Sequence, residues 1–155
     1  MKVAVITVSD RASRGEYQDL SGPEIVEAVR AREPEAEITT ELVPDERERI
    51  LEAFSRNAGA DWIITSGGTG PAARDVTPEA TREWIDRELP GLAEYLRAES
   101  LKETPFAVFS RAAAGLRGRQ YVVNLPGSAK AARLCAGLLA PLLAHGIKMA
   151  KGEGH

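Results

Sequence analysis

Four times along this chain a short apolar run ends abruptly in a loop of serine, aspartate, proline or glycine. The runs are Val3 to Val8, Ile38 to Val43, Trp62 to Thr65 and Gln120 to Leu125. Their length and β-branched content read as strands, and the first, apolar and rich in β-branched residues, reads as a strand buried on both faces. Helical patterns separate them. Ser21 with Glu24 forms a capping-box signature, and Pro34 stops the helix that follows. Asp45 with Glu48 repeats the box ahead of Ile50, Leu51, Phe54 and Ala58, which share one helical face. Thr77-Pro78 starts a third helix, Leu92 to Leu101 is a fourth, and Ser128 opens a last one that Pro141 kinks or splits. Ala112 to Arg117 and Gln120 to Leu125 flank Gly118-Arg119 as a two-residue hairpin. Strand and helix alternating in this way predict an α/β fold, with a mostly parallel sheet, helices on both faces and an antiparallel hairpin near residues 112–125. At 155 residues the chain fits one domain, expected over 1–150, with 151–155 as a frayed tail.

Composition narrows the chemistry. Twenty basic against twenty-three acidic side chains leave a net charge of −3, without the basic excess of a nucleic-acid binder. A single cysteine, Cys135, excludes an internal disulfide and a Cys₂ metal site. A Ser-His-Asp triad would have to use His145 or the terminal His155, the two histidines present. The first apolar run is too short for a secretory core or a membrane span, so a cytoplasmic location with no membrane partner is expected.

In an open parallel sheet, ligands bind outside the carboxyl ends of the strands. The residues there are Ser9-Asp10-Arg11, Pro44-Asp45, Ser66-Gly67-Gly68-Thr69-Gly70 and Asn124-Leu125-Pro126-Gly127-Ser128. Three glycines between 67 and 70 let backbone approach a ligand and aim N–H groups at an anion, with Ser66 and Thr69 adding hydroxyls. The same residues also suit a plain tight turn. No Gly-Lys-Ser/Thr follows, so this is not a P-loop, and Ala73 stands where a dinucleotide fingerprint needs its third glycine. Asp45 and Asp75 can each be explained as helix-start residues. At the ligand edge of a sheet, two such carboxylates can also hold Mg²⁺, with phosphate oxygens completing its shell. Arg11, Arg14, Arg74 and Arg111 are candidate phosphate partners, and Lys130 can reach an anion at the Ser128 helix start. Ser110 is a possible ligand donor. Cys135, Trp62 and Trp84 read as packing residues, and His145 as an exposed helix residue.

Taken in order, Ser9-Asp10-Arg11-Ala12-Ser13 with Tyr17-Gln18-Asp19, Pro44-Asp45-Glu46, Ser66 to Pro71, Arg74 to Pro78 and Asn124 to Gly127 resemble the MogA/MoaB family of molybdenum cofactor biosynthesis. That family also includes the gephyrin G domain. The motifs span residues 3 to 150. The resemblance implies a three-layer α/β/α sandwich assembling as trimers or pairs of trimers. It implies transfer of AMP from Mg-ATP to the terminal phosphate of molybdopterin, and a MoeA-like partner that takes the product for molybdate insertion. By position, Asp45 and Asp75 match the family's functional aspartates, and Gly67 to Gly70 its pterin and phosphate site. Ser110 and Pro126-Gly127-Ser128 match further ligand contacts. The substrate-binding set expected is Ser9, Asp10, Arg11, Ser66, Gly67, Gly68, Thr69, Gly70, Arg74, Ser110, Pro126, Gly127, Ser128 and Lys130. The chain has MoaB length with MogA-like motifs, and that length also permits a molybdopterin-binding scaffold without catalysis.

Overall fold

The computed structural model describes residues 1–153. Strands β1 (Lys2–Val8), β2 (Glu37–Val43), β3 (Trp62–Ser66), β4 (Arg87–Glu88), β5 (Ala114–Arg117) and β6 (Gln120–Leu125) form one sheet in the order β2-β1-β3-β6-β5-β4. β1 pairs in parallel with β2 and β3, and β3 with β6; β5 and β4 add antiparallel. The helices are α1 (Asp10–Ser13), α2 (Ser21–Arg32), α3 (Arg47–Arg56), α4 (Thr77–Trp84), α5 (Pro90–Leu101), α6 (Ala129–Leu139) and α7 (Leu143–Ala150).

The pleat of β1 sorts the core into two layers. Val3 and Val5 point to one face, where they join Ile25 and Val29 of α2, Leu96 of α5, and Cys135 and Leu139 of α6. Ala4, Ile6 and Val8 point to the other, against Ile50 and Phe54 of α3 and Ala80 of α4. Successive residues of a strand alternate sides, so a strand buried at every position from Val3 to Val8 needs a helical layer on each face. The expected three-layer sandwich is what forms. The hairpin forms as well, from Ala114, with Gly118 at φ +58 in its two-residue turn.

The order of the strands locates a crevice. From β1 the chain crosses to β2 on one side, whereas from β3 it moves outward toward β6 on the other. The carboxyl ends of β1 and β3 therefore flank the switch point, where successive loops diverge and leave a gap.

Two helix starts differ from expectation. Ser21 is the first residue of α2 and does not cap it. Asp19 does: its Oδ1 accepts from the N–H groups of Ser21 and Gly22 at 3.0 and 3.1 Å, and its Oδ2 from Thr7 Oγ1 of β1 at 2.7 Å. Glu24 pairs across to Arg133 of α6 instead of closing a box. Helix α3 starts two residues after Asp45, with Glu46 at the N-cap position and no side-chain bond there. Three small elements carry no signal in the sequence pattern: the one-turn α1, capped by Ser9, the two-residue β4, and a 3-10 turn at Pro105–Phe109. Pro141 does split the last helix, through a 3-10 turn at Ala140–Leu142. Of the expected tail, the N–H groups of Lys151, Gly152 and Glu153 bond back to carbonyls of α7, and Gly154 and His155 lie outside the described residues.

Candidate functional site

The loops after β1, β2, β3 and β6 meet at the crevice and enclose a cavity of about 170 Å³. Ser9, Asp45, Ser66, Gly67, Gly68, Asp75 and Gly127 all line it. The two acids that the sequence singled out therefore share one cavity with the glycine turn.

The turn explains its own composition. Gly67 and Gly68 have φ of +99 and +65, the left-handed region that side chains disfavour. A Cβ on Gly67 would strike the Val8 carbonyl oxygen, and one on Gly68 would strike Thr77 Oγ1 and come to 2.9 Å from Asp45 Oδ1. One on Gly70 would lie 2.8 Å from Asp75 Oδ2. The turn thus runs between the two carboxylates, with Gly68 against Asp45 and Gly70 against Asp75. Gly127 closes the far side, its own Cβ position 3.1 Å from the Cα of Gly67.

Asp45 is held by a reciprocal exchange with the end of β1. The Asp10 N–H donates to Asp45 Oδ2 at 2.8 Å, and the Asp45 N–H donates to Asp10 Oδ1 at 2.9 Å. This exchange, not a helix cap, accounts for Asp45 locally. Arg74 reaches over and donates to both oxygens of Asp10 at 2.8–2.9 Å. Asp10 and Arg74, both expected to meet substrate, satisfy each other here. Burial acts to raise the Asp10 carboxyl, but the Arg74 hydrogen bonds and the Asp45 amide outweigh it and hold Asp10 below the usual carboxylate range. Asp45 goes the other way. Burial pushes it up, and the neighbouring Asp10 and Asp75 charges add to that against the pull of the Asp10 amide and Arg74.

The raised Asp45 makes a prediction about stability. The native state binds this proton more tightly than the unfolded chain, so the carboxyl's favourable contribution is complete below the unfolded value of 3.8 and is lost as pH rises through the folded value. Asp45→Asn keeps an oxygen for the Asp10 N–H and removes the ionisation. It is expected to melt about 2 °C or more above the parent at pH 7, with the gap closing towards pH 4, as thermal unfolding across that range would check.

The remaining expected residues divide among neighbouring surfaces. Gly70, Ser110 and Pro126 border a second cavity of about 410 Å³, walled by Leu96, Phe106, Phe109 and Cys135. Ser128 and Lys130 border a third, with Arg133 and Glu103. Ser128 also caps α6, accepting from the Ala131 N–H. Ser66 spends its hydroxyl hydrogen on the Pro126 carbonyl at 2.9 Å, tying the two glycine turns together. Gly67 spends its N–H on the Leu125 carbonyl at 3.1 Å. The N–H groups of Gly68, Thr69 and Gly70 meet no protein acceptor among the described residues. Arg11 is exposed, its guanidinium carbon 5.3 Å from the centre of the Tyr17 ring. Arg14 pairs with Glu16. Arg111 is turned onto protein groups: its side chain donates to the carbonyls of Gly70 at 2.8 Å and Asp75 at 2.6 Å and to the Glu79 carboxylate.

Sequence reasoning missed Tyr17 and Ser21, which line the first cavity, and Thr77, whose hydroxyl holds the Gly67 carbonyl at 2.9 Å. Tyr17 and Thr77 both stand among the motifs of the resemblance, so position was the available signal, though Thr77 also reads as a helix start. Cys135 is in the core, where burial pushes its thiol up. His145 is exposed on α7, and His155 lies outside the described residues. No helix among the described residues is long and apolar enough to cross a membrane.

The family described as "Probable molybdopterin binding domain" matches residues 4–145. The chain is 39% identical to the molybdopterin adenylyltransferase of Helicobacter pylori J99, over 97% of this chain and 88% of that one. It is 42% identical to the molybdopterin adenylyltransferase of Haemophilus influenzae, over 84% of this chain and 68% of that one. Among solved structures it is similar to the molybdopterin biosynthesis enzyme MoaB of Thermus thermophilus, with a TM-score of 0.87, 46% identity, and 97% and 96% of the two chains covered.

Proposed function

Since the chain belongs to the MogA/MoaB family of probable molybdopterin-binding domains, we propose that it is a molybdopterin adenylyltransferase that moves AMP from ATP to the terminal phosphate of molybdopterin. The observation that carries this reading is the pair Asp45 and Asp75 set on either side of one three-glycine turn, within one cavity.

The reaction joins two polyanions. An oxygen of the molybdopterin phosphate attacks the α-phosphorus of ATP, the bond to the β-phosphate oxygen breaks, and pyrophosphate leaves with that electron pair. Catalysis of such a step consists of alignment and charge neutralisation and needs no protein nucleophile. The fold supplies both. Asp45 and Asp75 offer hard oxygen donors that suit Mg²⁺, which takes one or two carboxylates and completes its shell with phosphate oxygens and water. Among the described residues no cluster of three or more His, Cys, Asp or Glu could hold a metal. The two acids suit a cation whose remaining shell comes from ATP and water. Bound there, Mg²⁺ would neutralise charge at the α-phosphate and the departing pyrophosphate. The N–H groups of Gly68, Thr69 and Gly70 receive the molybdopterin phosphate. The apolar cavity beside Gly70 and Pro126 accommodates the flat pterin. Purified protein incubated with molybdopterin, ATP and Mg²⁺ is expected to yield adenylyl-molybdopterin and pyrophosphate; binding of molybdopterin without transfer would refute the enzyme and favour a scaffold.

In this reading the enzyme works in the cytoplasm as a trimer or pair of trimers and hands its product to a MoeA-like partner. The 3-10 turn at Pro105–Phe109 supports association, because Phe106, Val108 and Phe109 are 75, 60 and 60% exposed, more apolar surface than one turn leaves open to water without use. Light scattering is expected to return three or six times the chain mass, and a single-chain mass at micromolar concentration would refute it.

A further inference from the structure

The glycine turn is held from behind at successive peptide units. Thr77 Oγ1 donates to the Gly67 carbonyl at 2.9 Å, and the Thr77 N–H donates to the Gly68 carbonyl at 3.2 Å. The Arg111 N–H donates to the Thr69 carbonyl at 2.8 Å, and Arg111 Nε to the Gly70 carbonyl at 2.8 Å. A trans peptide is planar, with its C=O and N–H pointing in opposite directions. Pinning the carbonyls of residues 67, 68 and 69 therefore turns the N–H groups of 68, 69 and 70 away from Thr77 and Arg111. Those are the three N–H groups that meet no protein acceptor among the described residues.

We propose that Thr77 and Arg111 are positioning residues for anion binding, holding three consecutive carbonyls so that the N–H groups of Gly68, Thr69 and Gly70 are preset for a phosphate. The inference rests on the adenylyltransferase reading for the identity of that phosphate. Thr77 is fully buried, so its hydroxyl acts through the turn rather than on a ligand. Arg111 looks in sequence like a phosphate partner, but its side chain is spent on the Gly70 and Asp75 carbonyls and on Glu79. Holding both ends of the segment from Gly70 to Asp75, it also fixes where the Asp75 carboxylate stands. An amide set in advance binds charge without reorganising, whereas a mobile one must first be ordered.

The test compares Thr77→Val, which keeps the shape and the backbone N–H but loses the hydroxyl, with Thr77→Ser, which keeps it. In the parent protein, inorganic phosphate is expected to move the amide proton resonances of Gly68, Thr69 and Gly70 downfield. Thr77→Val should weaken molybdopterin binding about tenfold, measured by calorimetry without ATP, and leave ATP affinity within about twofold; Thr77→Ser should stay within about threefold for both. If Thr77→Val does not fold, Thr77→Ala, which likewise lacks the hydroxyl and keeps the backbone N–H to the Gly68 carbonyl, is read in the same way. Unchanged molybdopterin affinity, or equal losses for molybdopterin and ATP, would overturn the proposal. Amide resonances that ignore phosphate in a protein that still transfers AMP would sink the positioning role and spare the enzyme. Resonances that move in a protein with no molybdopterin affinity would sink the adenylyltransferase reading and leave the anion site standing.

Discussion

Asp75→Ala is expected to slow AMP transfer about a thousandfold, a loss of about 4 kcal/mol of transition-state stabilisation, while the melting temperature stays within about 2 °C of the parent. The two halves of this expectation come from different parts of the residue. Its backbone is structural: the Asp75 N–H donates to the Ala72 carbonyl, and its own carbonyl accepts from Arg111. Alanine keeps both. Its carboxylate accepts no hydrogen bond among the described residues and lines the cavity beside Gly70. Removing it therefore breaks nothing in the fold and deletes one of two acids available to a phosphate-bound cation. Steady-state transfer rates and a melting curve on the same preparation check both halves, and transfer within tenfold of the parent would show that Asp75 has no such role.

Gly67→Ala is expected to act on the fold itself, lowering stability by about 3 kcal/mol or more and the melting temperature by about 10 °C. Three backbones converge at this residue. The added Cβ would run into the Val8 carbonyl at the end of β1, and Gly127 at the end of β6 lies against its Cα. Backbone cannot swing aside as the tip of a side chain can, and φ of +99 is itself unfavourable for alanine. Gly118→Ala is the matched control. It too has positive φ, +58, but a Cβ there meets nothing within 4 Å. It should cost about 1 kcal/mol, the backbone part alone. Equal losses from the two substitutions, read by denaturant unfolding, would show that the convergence of strands is not what demands glycine at 67.

The layers of this fold were legible because each depends on short-range pattern. Val3 to Val8 is apolar at every position but one, which only a sheet covered on both sides tolerates, and the leucines and alanines after Ser128 recur at helical spacing. The strand Arg87–Glu88 was not legible, since two charged residues carry no periodicity and pair only because the hairpin offers Gly115 and Leu116 an edge to meet. The site was half legible for the same reason. The positions of Asp45 and Asp75 in loops after strands place them on one shared rim, yet Asp45 does not cap the helix that its motif announces. Its partner, Asp10, lies 35 residues away, and Pro-Asp-Glu-Arg-Glu looks like a helix start whichever residue caps it. Arg111 illustrates the limit most clearly. Fork geometry suits a phosphate or a set of carbonyls equally, and the choice was made by partners 32 to 41 residues distant, in the glycine loop and at the start of α4.

The two ends of the sheet bear on how copies of this chain can meet. One flank stops at Arg87 and Glu88, a pair of charged residues too brief to seat an incoming β-chain. The opposite flank, β2, turns Glu37, Thr39 and Thr40 to water. A two-residue edge is a poor template for ladder extension, whereas β2, seven residues long with Leu42 also 42% exposed, is the margin on which an added strand could pair. A contact through the phenylalanine turn would instead be made by side chains, where shape rather than main-chain pairing limits how many copies join.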